Sequence, residues 1–488
     1  MTFNSYSFIF IYLPVFLAVL YLIQIYVDKK SADKVIRLWI IAMSALFFVF
    51  FGMRSICVFA LSIVVNTIFA KIISEKNKGL PIAVVFNVSL LCAFKYSGNP
   101  VMPVAISFYT FQQIAFLTEL KRENIKDFSL LNYLSYILFF PKILQGPLSE
   151  YDNLNRQIAS LSEKKINSEG IIDGLYLFAL GLFKKVLLSD VLGKAVNFGY
   201  GNVASLTALD AVIVAISYSF QLYFDFSGYC DMAEGVCRMM GIELQMNFNA
   251  PYIAKNISDF WDRWHITLTK FFTKYVYIPL GGSRRGVLRT YLNILIVFFI
   301  SGIWHGKGLT FIIWGMMHGI MMVLTRAKAH PSTDKDKSKN DPDKNKPLGA
   351  INVIKTALTF IYVTAAWVFF RAPSVNDAAL IIKKCVTGIR DYGLHISIEL
   401  AECFQLDELW YVFKVTPIPS WNKSGYLCMW IILAVSALFI FSGKTARNMA
   451  DKFAQGNNGI LKTVFISIIF VWSVLSLGGV STFLYVNF

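Results

Sequence analysis

A chain of 488 residues is long enough for several soluble domains, but 56% of it is hydrophobic, only 16% is charged, and its mean hydropathy is +0.56. Those proportions define an integral membrane protein and exclude an ordinary soluble enzyme. The net charge of +16 does not point to nucleic acid, because the basic residues sit in short loops between apolar runs, where they orient the chain and meet anionic lipid.

Phe8 to Val27 is long enough to cross a bilayer. No basic residue precedes it and no small-residue cleavage site follows, so it reads as a retained span rather than a signal peptide. Lys29, Lys30, Lys34 and Arg37 come next, which places the N-terminus outside and this loop in the cytoplasm. Leu38 to Phe51, Ile56 to Ile73 and Leu80 to Phe94 are further spans. The run from Pro103 to Gln113 carries a proline and several hydroxyl and amide groups, so it belongs against other protein or a wet cavity, as a polar helix interface or as a channel. Leu131 to Pro147 is broken by prolines and is expected to be re-entrant or interfacial. Ser149 to Glu169 is a polar loop.

Ile171 to Leu188 reads as a span or buried helix, with Lys184 and Lys185 snorkelling toward a membrane face. Ala208 to Phe226 is a span ending in Asp225, with Asp231 close behind. Glu234 and Arg238, spaced i, i+4, make a structural pair. Residues 327–348 are charge-rich and low in complexity, which predicts a flexible cytoplasmic loop in which His330 is solvated and inert. Ala350 to Phe370, Tyr426 to Phe441 and Leu461 to Phe483 are the remaining spans, and the mixed stretch from Arg371 to Ser424 suits interfacial helices with some exposed loop. No internal repeat is present. The sum is an all-α, polytopic membrane protein, one domain over residues 1–488, with roughly ten to twelve crossings plus re-entrant and interfacial helices. Seven scattered cysteines with no Cys-x-x-Cys spacing indicate neither a disulfide framework nor a zinc site.

Three of the five histidines fall between Pro251 and Gly319. Imidazoles are costly among so many apolar residues unless they work or are tightly paired. From Ser258 to Tyr277 the apolar residues Phe260, Trp261, Trp264, Leu268, Phe271, Phe272 and Tyr275 form a helical stripe, which predicts one amphipathic interfacial helix carrying His265. A histidine beside a tryptophan is often a packed core residue, so both readings stand for His265. Gly281 to Gly286 pairs two glycines with Arg284 and Arg285, which suits either donor phosphates or a positive-inside loop. Thr290 to Trp304 and Leu309 to Leu324 form a hairpin between two basic loops. The first arm, fifteen residues, is about 22 Å of helix, which stops His305 inside a hydrocarbon core of about 30 Å. There it is either a satisfied structural histidine or a neutral imidazole suited to general base catalysis. His318, in the second arm, is a packing or channel-lining residue. Three dispersed histidines without a carboxylate at ligand spacing make a poor metal site.

Several stretches together resemble the membrane-bound O-acyltransferase (MBOAT) family, and within it the bacterial branch typified by the alginate O-acetylation membrane subunit. They are Phe3 to Phe10, ISFYTFQ at 106–112, GLFKKVLLSD at 181–190, YFDFSGYCDMA at 223–233, NFNAPY at 247–252, FWDRWHITL at 260–268, YVYIPLGGSRRG at 275–286 and SGIWHG at 301–306. The resemblance implies a ring of membrane helices around a central tunnel. The histidine of WHG, His305, would be the catalytic residue, and His265 would orient the acyl carbonyl or support charge on it. Trp261, Arg263, Trp264, Trp304, His318 and Asp225 are then the candidates for the tunnel lining. It further implies a cytoplasmic thioester donor, either acetyl coenzyme A or an acylated carrier, and direct transfer to a hydroxyl on the other face for polysaccharide O-acetylation. An extracytoplasmic partner of the SGNH type and a bacterial cytoplasmic (inner) membrane location go with it. D-alanyl transfer to teichoic acid by the same fold is the near alternative, disfavoured by the IPLGG motif and the length. A transporter or flippase is the alternative of another class, since intramembrane Asp, Arg and His also line permeation paths.

Overall fold

The computed structural model describes residues 1–97, 102–123, 125, 128–164, 166–328, 350–406, 424–455, 460–479 and 483. Among them no strand forms, and the chain runs as helices joined by short turns. In order these are α1 (Leu13–Tyr26), α2 (Lys29–Val49), α3 (Met53–Lys76), α4 (Leu80–Tyr96), α5 (Ile106–Lys121), α6 (Leu130–Ile137), α7 (Phe140–Ile143), α8 (Tyr151–Ser160), α9 (Ser168–Phe183), α10 (Asp190–Gly201) and α11 (Ala208–Met240). The second half holds α12 (Ile257–Arg263), α13 (Ile266–Phe272), α14 (Val287–His305), α15 (Leu309–Lys328), α16 (Ala350–Arg371), α17 (Val375–Asp391), α18 (Ile398–Glu402), α19 (Ser424–Phe441), α20 (Ala446–Gln455) and α21 (Ile460–Leu475). Most of the expected loop at 327–348, with His330, lies outside the described residues. Its first two residues, Ala327 and Lys328, are the last turn of α15.

Seven helices among the described residues are long and apolar enough to cross a membrane, with the shorter apolar helices Leu80–Tyr96 and Lys462–Gly478 beside them. The chain is a multi-pass membrane protein. Not every apolar run is free to face lipid. α5, for instance, buries every residue from Ile106 to Gln113.

The described residues form two compact units. One comprises Met1–Leu187, Phe224–Met246 and Ala446–Phe488, the other Leu188–Tyr223 and Asn247–Thr445, so α11 contributes a half to each. In the first unit the proline-broken run packs inside the protein: Phe140 is fully buried, and the rings of Phe3, Phe8, Tyr12, Phe16 and Phe47 lie within 6.3 Å of it. Lys184 and Lys185 do not snorkel. They sit in a π-helical segment, Lys184–Ser189, and reach α11 as buried ion pairs: Lys184 with Asp231 at 2.6 Å and Lys185 with Asp225 at 2.8 Å. A buried charge is tolerable only when paired, and the aspartates supply the partner. Arg238 pairs with Glu234 at 3.1 Å as its spacing predicts, and also reaches Asp451 at 2.7 Å.

In the second unit α14 and α15 make the expected hairpin, and small residues let the arms touch. A methyl group on Gly302 would lie 2.6 Å from the carbonyl oxygen of Phe311, and one on Gly315 would lie 2.4 Å from that of Phe298. α14 is longer than expected, nineteen residues or about 28 Å, because Val287 to Arg289 join its first turn. Its length therefore does not by itself stop His305 within the bilayer. α16 packs on α15, and the Tyr362 hydroxyl donates to the carbonyl of Met317 at 2.7 Å.

Candidate active site

The expected amphipathic helix over 258–277 is broken. α12 ends at Arg263, His265 takes a left-handed conformation at φ +45°, and α13 starts at Ile266. Two features hold the break. Asn256 caps α12 by accepting from the Asp259 amide at 2.9 Å. The segment at 247–249 pairs with the break through Asn249 N–H to Arg263 O and Ile266 N–H to Asn247 O, each 3.0 Å. A non-glycine residue at positive φ is uncommon and persists only where its surroundings demand it.

Asn247 is the partner that fixes His265. Its side-chain oxygen accepts from the Thr267 amide at 3.2 Å and the Thr267 hydroxyl at 2.9 Å, so the amide orientation is set by a backbone donor. The same oxygen lies 3.2 Å from His265 Nδ1, which must therefore carry the proton. Nε2 is then the lone-pair nitrogen. Burial pushes the His265 pKa down to about 3, so the ring is neutral at physiological pH. A lone-pair nitrogen accepts hydrogen bonds and does not donate them.

His305 closes α14 and is buried. Its ring centroid lies 4.2 Å from Trp304, 4.9 Å from Trp314 and 5.0 Å from Phe370. Gly306 lets the chain pass close beside the Phe311 ring, which a methyl group there would have to displace. The cluster continues from Trp314 to His318 at 5.3 Å and Trp367 at 5.6 Å, from His318 to Trp261 at 5.1 Å, and from Trp367 to Trp264 at 5.2 Å.

The fold thus brings His305, His318, Trp261, Trp264 and Trp304 into one connected set of rings. Arg263 is not turned into it. Its guanidinium is held by Asp259 at 2.6 Å and is partly exposed. Asp225 belongs to the other unit, bound to Lys185. Arg284 and Arg285 lie exposed in the Gly281–Gly286 loop, where all three glycines have positive φ. The sequence reading did not anticipate Asn247, although it stands in the NFNAPY motif, nor Trp367 and Phe370, which arrive from α16. Among the described residues no group of three His, Cys, Asp or Glu side chains is placed to hold a metal ion.

Buried imidazoles set among indole rings inside a polytopic helical protein make this cluster the candidate site. The chain belongs to the membrane-bound O-acyltransferase family, whose model matches residues 80–330. It is 36% identical to the peptidoglycan O-acetyltransferase of Helicobacter pylori, over 82% of each chain. It is 30% identical to the probable alginate O-acetylase AlgI of Pseudomonas aeruginosa, over 78% of this chain and 73% of that one. The teichoic acid D-alanyltransferase of Bacillus subtilis is 32% identical over a shorter match, 46% of this chain and 59% of its own. The protein is an O-acyltransferase.

Proposed function

We propose that this enzyme moves an acetyl group from a cytoplasmic thioester, acetyl coenzyme A or an acylated carrier, to a hydroxyl on the extracytoplasmic side, for O-acetylation of a cell-surface or exported polysaccharide. The observation that carries this reading is the extent of likeness: two O-acetyl-transferring relatives match over about three quarters or more of both chains, the D-alanyl transferase over less than half of this one. The location is a bacterial cytoplasmic membrane, and an SGNH-type partner outside it completes delivery to the polymer.

His305 is the general base. As the acceptor hydroxyl attacks the thioester carbonyl, its proton passes to His305 and the carbonyl electron pair moves onto oxygen. Collapse of the tetrahedral intermediate re-forms the carbonyl and breaks the carbon–sulfur bond. The departing thiolate then takes the proton from His305, leaving an ester and a thiol. His265, with its lone pair on Nε2, accepts a hydrogen bond from the acceptor and aligns it. We assign the donor's phosphates to the exposed guanidiniums of Arg284 and Arg285.

The test is ester-linked acetate on the cell-surface polysaccharide, wild type against His305→Ala at matched membrane abundance. Loss of the base is expected to lower acetate by about a hundredfold or more. Unchanged acetate overturns the role of His305. Wild-type cells that lose D-alanine ester rather than acetate on deletion of the gene overturn the acyl group.

A further inference from the structure

His318 is fully buried in α15, and the Trp261 indole donates its N–H to His318 Nδ1 at 3.3 Å. An indole nitrogen can only donate, so Nδ1 must be the lone-pair nitrogen and the proton of the neutral ring lies on Nε2. That is the opposite tautomer to His265. The Nε2–H meets no acceptor among the described residues. Two neighbours share this condition: the indole N–H groups of Trp314 and Trp367, each 1% exposed, are also without an acceptor. The three rings are mutually adjacent, with centroids 5.3 Å (His318 to Trp314), 5.6 Å (Trp314 to Trp367) and 6.0 Å (His318 to Trp367) apart. Trp314 also packs on His305.

Buried donors are nearly always satisfied, and three orphaned N–H groups in one ring cluster call for a guest that brings an acceptor and no competing proton. A carbonyl oxygen is such a guest. We propose that the N–H groups of His318, Trp314 and Trp367 receive the acyl carbonyl oxygen of the thioester, with His318 a substrate-binding residue and Trp261 the positioning residue that sets its tautomer. This rests on the acyl-transfer reading above. When the hydroxyl attacks, the carbonyl electron pair moves onto this oxygen and the three donors hold the charge. The pair returns to re-form the carbonyl as the thiolate leaves.

Two measurements on the full-length protein in lipid vesicles test it. In the first, solid-state nitrogen NMR of the wild type is expected to show His318 protonated at Nε2 and to lose that preference in Trp261→Phe. A proton on Nδ1 of the wild type overturns the proposal without any substitution at His318. In the second, S-acetylpantetheine labelled at the carbonyl carbon is followed by infrared difference spectroscopy and as donor in ester formation. His318→Phe is expected to raise the carbonyl stretch of the bound probe and lower kcat about a hundredfold with the acceptor KM unchanged, and His318→Gln, which keeps an N–H, to recover much of both. An unshifted stretch with full kcat in His318→Phe overturns the proposal while leaving acyl transfer intact. A wild type that forms no ester from any thioester overturns the acyl-transfer reading itself.

Discussion

At His265 the backbone and the side chain depend on the same residue. Asn247 accepts the Ile266 amide through its main chain and the imidazole Nδ1–H through its amide oxygen, so the left-handed turn and the tautomer are set together. Asn247→Ala removes the acceptor of two buried Thr267 donors and of the imidazole. It is expected to cost about 1–3 kcal/mol, read as a lower melting temperature in detergent. The pH dependence has a definite sign. The folded ring stays neutral down to about 3, whereas the unfolded chain takes a proton below 6.5. Stability from this group is therefore complete above the unfolded value and is lost as pH falls through that window, by up to about 1.4 kcal/mol per pH unit. Melting curves from neutral pH down to about pH 4 should show this slope, and His265→Gln should flatten it. The histidines themselves were legible because imidazoles are rare in apolar runs. Asn247 was not, because it lies 18 residues from the ring it fixes and a lone asparagine has no periodic signal.

The α14–α15 hairpin was legible as an element, from two apolar runs between basic loops. Its closeness was not, since it depends on which glycine faces which carbonyl. Gly315→Ala is expected to destabilise by about 1–3 kcal/mol by driving its methyl group into the neighbouring helix. Gly201→Ala, in α10 with no heavy atom within 4 Å, is expected to be neutral or stabilising by up to about 1 kcal/mol. Equal melting shifts for the two would show that the arms do not touch at Gly315. The pairing of Lys185 with Asp225 ties the π-helical segment to α11 in the same way. Lys185→Met is expected to cost about 3–5 kcal/mol by taking the lysine away from a buried carboxylate, and adding Asp225→Leu should restore most of it. A double variant no more stable than the single one would argue that the pair is not a closed partnership.

On the scale of the whole molecule, six of the seven membrane-crossing candidates present large apolar side chains outward, among them Leu288 on α14, Leu309 on α15 and Ile351 on α16, while α11 is mostly buried. Such surfaces are stable only against lipid tails. The protein is accordingly expected to stay in the membrane pellet through an alkaline carbonate wash and to enter solution only with detergent. Release by carbonate alone would contradict an integral placement.

Composition and local pattern alone determined the membrane class, the all-helical architecture, the positions of the apolar runs and the two tryptophan–histidine pairs, because each depends on residues close together in the chain. Tertiary structure decided which runs are buried in protein, which lysines are paired, and where the protons of His265 and His318 lie. A proton on an imidazole is placed by whatever acceptor or donor stands beside the other nitrogen, and here those neighbours, Asn247 and Trp261, are brought there only by folding.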